Sequence, residues 1–158
     1  MIETLNMQGQ VRLLLHAADG SLLLDRLHRN RIVRSGRELV AQHFAGVTGA
    51  PPNIVSHMAV GTGGAAASDD DVALAAERAR NAVAAPTYSA IVDAGGIKRV
   101  KVSLQTVFDF GEANGVDPLR EAGIFTASAA GTMYNRVVFD AVTKVNTFKL
   151  TLIWDIVF

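Results

Sequence analysis

The sequence offers few residues that could do chemistry, and their spacing decides what each can do. Its histidines are His16, His28, His43 and His57. No two stand four apart with a glutamate beside the first, the arrangement that puts two imidazoles and a general base on one helix face around zinc. Asp69-Asp70-Asp71 concentrates carboxylates, but a calcium loop spaces its ligands so that they converge on one ion, and adjacent aspartates diverge. These three are expected to sit at the start of a helix running from Asp69 to about Ala79, where acidic side chains suit the positive end of the helix dipole. Gly61-Thr62-Gly63-Gly64 is glycine-rich but lacks the Gly-Lys-Ser/Thr ending of a phosphate loop, so a tight structural turn is expected. No serine occupies a Gly-x-Ser-x-Gly elbow. Glu112, Asp117 and Glu121 gather around one loop and are the nearest thing to an acid/base pair for sugar cleavage, where the carboxylate separation is decisive. Solvation of the loop is the preferred reading. Enzyme chemistry is not expected, nor is a cofactor.

A basic stretch holds Arg26, Arg29, Arg31, Arg34 and Arg37, with His28 among them. It has no interleaved aromatics to stack bases. A solvated face, a protein interface and a nucleic-acid patch remain open for it, since arginine is favoured wherever its planar fork can meet carboxylates.

These residues have to be positioned by strands. Phe148, Leu150, Leu152, Trp154, Ile156 and Phe158 alternate with Lys149, Thr151 and Asp155, the pattern of a strand with one large apolar face. Trp154 therefore belongs to the core. Val100, Val102, Leu104, Thr106, Phe108 and Phe110 repeat the pattern, after a strand over Thr87–Asp93 and an Ala94-Gly95-Gly96 turn. Glu121–Thr126 and Met133–Val142 read as a hairpin, as do Gln10–His16 and Ser21–Leu27 around Asp19-Gly20. A short strand is expected near Val55–Val60. A short helix is expected from Gly36 to Ala45, capped by Ser35 with Glu38 three residues on. Leu39, Val40, His43 and Phe44 form its apolar face, and Gly46 ends it. The fold class is mainly β (α+β): an antiparallel sandwich-like domain with one or two short helices in the N-terminal half. No long linker interrupts residues 1–158, so one domain is expected.

The chain has 158 residues, 49% of them hydrophobic, with 15 Lys plus Arg balancing 15 Asp plus Glu. A zero net charge argues against a general grip on nucleic acid or anionic lipid, which requires excess positive charge to displace counterions. It also favours self-association. With no cysteine there is no disulfide framework or thiolate metal site. Met1–Met7 lacks the basic start of a secretory leader, and Leu13-Leu14-Leu15 is too short to cross a bilayer, so no membrane association is expected.

Several segments in order resemble a family of small virion proteins of tailed bacteriophages. They are Gly9-Gln10-Val11 through Asp19-Gly20, Asn30 to Val33 with Ser35 to Ala41, and Ile54 to Gly63. Leu74 to Arg80, Glu121 to Phe125, Arg136 to Phe139 and Leu150 to Phe158 complete the set. Glu121-Ala122-Gly123-Ile124-Phe125 is also similar to a stretch of the head-proximal attachment domains of tail-collar fibre proteins, and no shaft or receptor-binding tip accompanies it. The resemblance implies a non-enzymatic structural protein of the virion, made in the host cytoplasm, that acts at the tail or collar in fibre attachment or bridging. Its partners would be other virion proteins and copies of itself, as a trimer or ring. Head decoration that stabilises the capsid shell is the alternative. From another class comes a carbohydrate-binding module using Trp154, Tyr88, Tyr134 and the Glu112/Glu121 loop. The candidate contact residues are Arg29, Arg31 and Arg34 of the basic stretch, Gly61, Gly63, Asp69 and Asp70 of one loop, and Glu112, Asn114 and Asp117 of another.

Overall fold

The computed structural model describes residues 6–158, so most of the Met1–Met7 segment read for a leader lies outside the described residues. Two five-stranded antiparallel sheets face each other. The first is built from β1 (Gln8–Ala17), β2 (Leu22–Arg29), β6 (Thr87–Val92), β7 (Lys98–Phe108) and β10 (Phe148–Val157), in the order β2-β1-β10-β7-β6. The second holds β3 (Arg31–Ile32), β4 (His57–Gly61), β5 (Glu77–Ala82), β8 (Leu119–Phe125) and β9 (Met133–Val142), in the order β3-β9-β8-β4-β5. The protein is mainly β, with the sheets packed as a sandwich.

The alternation read from sequence sets the registers. Val11, Leu13 and Leu15 of β1 lie opposite Trp154, Leu152 and Leu150 of β10, and all six are buried. Leu104, Thr106 and Phe108 of β7 continue this layer across β10. Ala122, Ile124, Val137 and Phe139 answer it from the second sheet in the same core cluster. Trp154 is fully buried, and its Nε1 donates to Asn30 Oδ1 at 2.8 Å. That bond satisfies the one polar atom that indole burial would otherwise strand. Phe110 falls just beyond the end of β7.

One helix, α1 (Arg34–Ala45), is present among the described residues. It starts two residues earlier than expected and is capped differently. Val33 stands at the N-cap with no side-chain cap bond, while Ser35 Oγ donates to the Met133 carbonyl at 2.8 Å and so anchors the helix to β9. Gly36 makes this approach possible, because a Cβ there would lie 2.0 Å from the Tyr134 carbonyl oxygen. Gly46 ends the helix with a φ of 77°. Of the expected apolar face only Leu39 is buried; His43 and Phe44 are exposed.

The second expected helix does not form. Residues 69–76 make turns and irregular loop, and Glu77–Ala82 is β5. The aspartates meet arginines, Asp69 with Arg31, Asp70 with Arg34 and Asp71 with Arg136, and Glu77–Ala82 pairs with β4 as the edge strand of the second sheet.

Candidate functional site

The Glu121 side chain, expected to be solvated with Glu112 and Asp117 around one loop, is instead fully buried on β8, on the face of the second sheet that points away from the first. That face is covered by the loop from Thr62 to Ala76. Glu121 Oε1 accepts from the Gly63 and Ala76 amides at 3.0 and 2.7 Å, and Oε2 from the Ala75 amide at 3.0 Å and Arg136 Nε at 2.9 Å. Arg136, on β9, donates onward to Asp71 Oδ2 at 2.9 Å and to the Ala65 carbonyl at 3.0 Å. A buried charge is tolerated only when paired and hydrogen-bonded, and every oxygen of Glu121 is so engaged. Burial lowers the Arg136 pKa, but the bonds it donates to Asp71 and Glu121 outweigh it and hold the guanidinium above its ordinary value. The Asp71 carboxyl is lowered: burial pushes it up, and bonds from the Ser68 amide and Arg136 pull it down further.

The small residues of the loop serve this clamp. A Cβ on Gly61 would come within 2.4 Å of the Ala76 carbonyl oxygen and 2.7 Å of Glu121 Oε1, and one on Gly63 within 2.6 Å of the same carboxylate oxygen. The glycines let backbone approach a carboxylate of this chain. Gly61 is buried, so it is not a contact surface. Gly123 admits Leu74, which joins Ala59, Phe125, Met133 and Val33 in a second buried cluster beneath the loop. Arg80 closes the cluster's edge, its guanidinium carbon 3.7 Å from the Phe125 ring centroid. The Glu-Ala-Gly-Ile-Phe segment is therefore shaped by internal packing: glutamate for the loop amides, glycine for Leu74, phenylalanine for the cluster.

Other candidates are also occupied within the chain. Arg31 and Arg37 each reach Asp69 at 3.6 Å, Arg34 reaches Asp70 at 3.4 Å, and the Arg34 amide donates to the Asp69 carbonyl at 2.8 Å. The basic stretch and the acidic loop are thus each other's neighbours. These pairs are half exposed or more, where such bridges contribute little. Arg29 lines an open hollow with Arg31 and Arg37. Glu112 accepts from the Asp109 amide and from Asn81 Nδ2, both at 2.8 Å. Asn114 Oδ1 accepts from Lys144, a fully buried lysine whose pKa is lowered by that burial. Asp117 is exposed, and its carbonyl accepts from Arg78. Glu112 and Asp117 share the Gly111–Leu119 loop; Glu121 does not join them.

Sequence reasoning missed a third feature, an apolar groove of about 420 Å³ at one end of the sandwich. Leu39, Val40 and His43 of α1 form one wall, Val55 and Val83 another, and Val102, Ile156 and Phe158 the floor. The Tyr134 hydroxyl is buried and has no hydrogen-bond partner among the described residues, and its ring lines the groove. Ile54, 73% exposed, and Tyr88, 71%, also line it, and Phe44, 93% exposed, follows His43 on α1. Beyond Tyr88 the β6–β7 hairpin projects with Val92, Ile97 and Val100 uncovered. The signal for this was present: Tyr88, Ala90 and Val92 alternate with Ser89 and Ile91, but alternation alone does not say what covers a face.

Set against protein-family models, curated proteins and solved structures, the chain finds no match.

Proposed function

We propose that this chain is a non-enzymatic structural protein of a tailed-phage virion, acting at the tail or collar to attach or bridge fibres. One observation carries the assembly role: Ile54 and Tyr88, both largely exposed, line the apolar groove, and the adjoining hairpin leaves Val92, Ile97 and Val100 uncovered beside it. Apolar patches of this kind on a folded chain mark interaction sites. Glu112, Glu121 and the three aspartates Asp69, Asp70 and Asp71, which could have suggested chemistry, are by contrast engaged within the chain. Glu121 and Arg136 hold a loop, and Gly61 and Gly63 face the Glu121 carboxylate, which leaves no cradle for a phosphate there. The virion setting comes from the resemblance along the sequence.

The carbohydrate-binding reading loses support on the same grounds. Trp154, Tyr134 and Glu121 are buried, so only Tyr88 and Glu112 of its residues meet solvent.

Quantitative mass spectrometry of purified particles, with the major shell protein as internal standard, tests the proposal. A tail or collar component is expected at far fewer copies than the shell protein. Copy numbers comparable to the shell would replace it with head decoration. Absence from the particle would overturn both.

A further inference from the structure

The first sheet has two edges, and they are finished differently. β2 exposes Leu22, Leu23 and Leu27 but sets Asp25, Arg26 and Arg29 among them, and its Arg26 reaches across to the Asp140 carbonyl of the second sheet. Charges of this kind are how natural proteins protect an edge from pairing. β6 is Thr87-Tyr88-Ser89-Ala90-Ile91-Val92, with no charge and no proline. It pairs with β7 on one side only, and all of it but Ile91 is exposed.

Its free hydrogen-bonding groups can be assigned. The Asp93 amide donates to the Ile97 carbonyl, so in the alternating antiparallel ladder the odd residues of β6 bond to β7. The N–H and C=O groups of Tyr88, Ala90 and Val92 point away from it. The side chains of the same three residues share the face that carries Lys98, Val100 and Val102 of β7.

We propose that a second copy of this chain docks on β6 by antiparallel strand pairing, with a two-fold axis at Ala90. In that register Ala90 faces Ala90 of the second copy, and Tyr88 faces its Val92, so all three outward-facing residues find partners. Residues opposite each other then lie on the same face, Tyr88 packs on an aliphatic side chain, and no like charges meet. Asp93, opposite Thr87, is already neutralised by Arg99 at 2.6 Å. Shifting the axis to Ser89 sets Val92 against Pro86, which has no amide to give. Pairing β6 with the β2 edge of another copy would set this uncharged strand against the charged one and propagate into a ring or fibre. The two-fold pairing closes on itself.

The inference deepens the assembly role proposed above, and the two are separately testable, because particle copy number does not depend on which edge pairs. The chain has no cysteine, so a single Ala90→Cys substitution gives a clean cross-linking probe. Across a two-fold at a hydrogen-bonded pair the Cα atoms would be about 5.5 Å apart, within disulfide reach. Mild oxidation of purified Ala90→Cys is expected to give a covalent dimer of two 16.8 kDa chains, whereas Leu23→Cys on β2 should stay uncrosslinked. Sedimentation of the unmodified protein over a concentration series should show the same dimer. Ala90→Pro removes only an outward-facing amide and should sediment as a monomer with its far-ultraviolet circular dichroism unchanged. If proline disturbs the hairpin, Ala90→Lys tests the edge without touching the backbone. A wild type that is monomeric throughout the series, or an oligomer that both Ala90 variants leave intact, would overturn the proposal. So would cross-linking through Leu23→Cys in place of Ala90→Cys.

Discussion

The outward face of β8 and the β6–β7 face that continues the core layer follow the same strand grammar and end in opposite conditions. On β8, Glu121, Gly123 and Phe125 alternate with Ala122 and Ile124, and both sets are buried because the Thr62–Ala76 loop lies across the outward one. On β6, Tyr88, Ala90 and Val92 are left bare. The difference lies in what each face offers to a covering element. Glu121 presents a carboxylate that ties down three backbone amides, and glycines let the loop close on it. β6 presents only apolar surface and unpaired strand groups, which an irregular loop cannot satisfy but another strand can. A polar, self-satisfied face stabilises the fold. An apolar, open one is available to a partner.

The largest expected effect comes from breaking the covered face. Glu121→Ala leaves Arg136 with Asp71 as its one carboxylate partner and strips three amides of their acceptor. Removing one member of a buried pair costs about 3–5 kcal/mol. Urea denaturation followed by circular dichroism should show a loss of that size; a loss near zero would mean that the loop is held by its apolar cluster instead. Next in size is Gly61→Ala. Its methyl group would have to displace the Ala76 carbonyl and the Glu121 carboxylate together, and overpacking of this kind costs about 1–3 kcal/mol. Gly20→Ala provides the contrast, since nothing lies within 4 Å of a Cβ there and only its φ of 85° is strained.

Acid sharpens the comparison further. The folded Asp71 carboxyl titrates below its unfolded value, so the folded state binds fewer protons there as the carboxyl ionises. Its contribution is fully present above the unfolded pKa and is lost as pH falls through the folded one. Asp71→Asn should therefore lower stability at neutral pH by about 1 kcal/mol, the scale of the hydrogen bonds it weakens, and flatten the acid limb of the stability curve. An unchanged acid limb would assign acid sensitivity to the other lowered carboxylates, Asp19, Asp25 and Asp93.

How much of this could be read in the sequence depended on the range of the interactions. The β1–β2 and β8–β9 hairpins and the β10 strand were legible because period-two alternation and turn residues such as Asp19-Gly20 are local signals. Trp154 was placed in the core for the same reason. Residues 69–79 misled because adjacent aspartates before alanines are equally a helix start. What decided the matter was Arg31, Arg34, Arg37 and Arg136, far away in sequence and brought close only by the sheet. Glu121 was legible as an acidic residue but not as a buried one, since its amide partners lie 45 to 58 positions earlier. The groove was harder still: it is bounded by a helix, a linker and the floor of a sheet, and no local pattern reports a space left unfilled.

The smallest expected effect bears most directly on function. Phe44 follows His43, a residue of the groove wall, on α1; it is 93% exposed and makes no part of the core. If the open end serves partners, Phe44→Ser should leave stability within about 0.5 kcal/mol of wild type, the usual range for a surface site. Incorporation into particles should fall even so, when the variant is supplied in place of the wild-type chain and counted by mass spectrometry. Glu121→Ala would reduce incorporation only in proportion to the unfolded fraction, and low temperature should restore it. Phe44→Ser should show no such rescue, because its defect would lie in docking and not in folding. A Phe44→Ser chain incorporated at wild-type copy number would move the contact away from the α1 rim and leave the β6 edge as the surface to test.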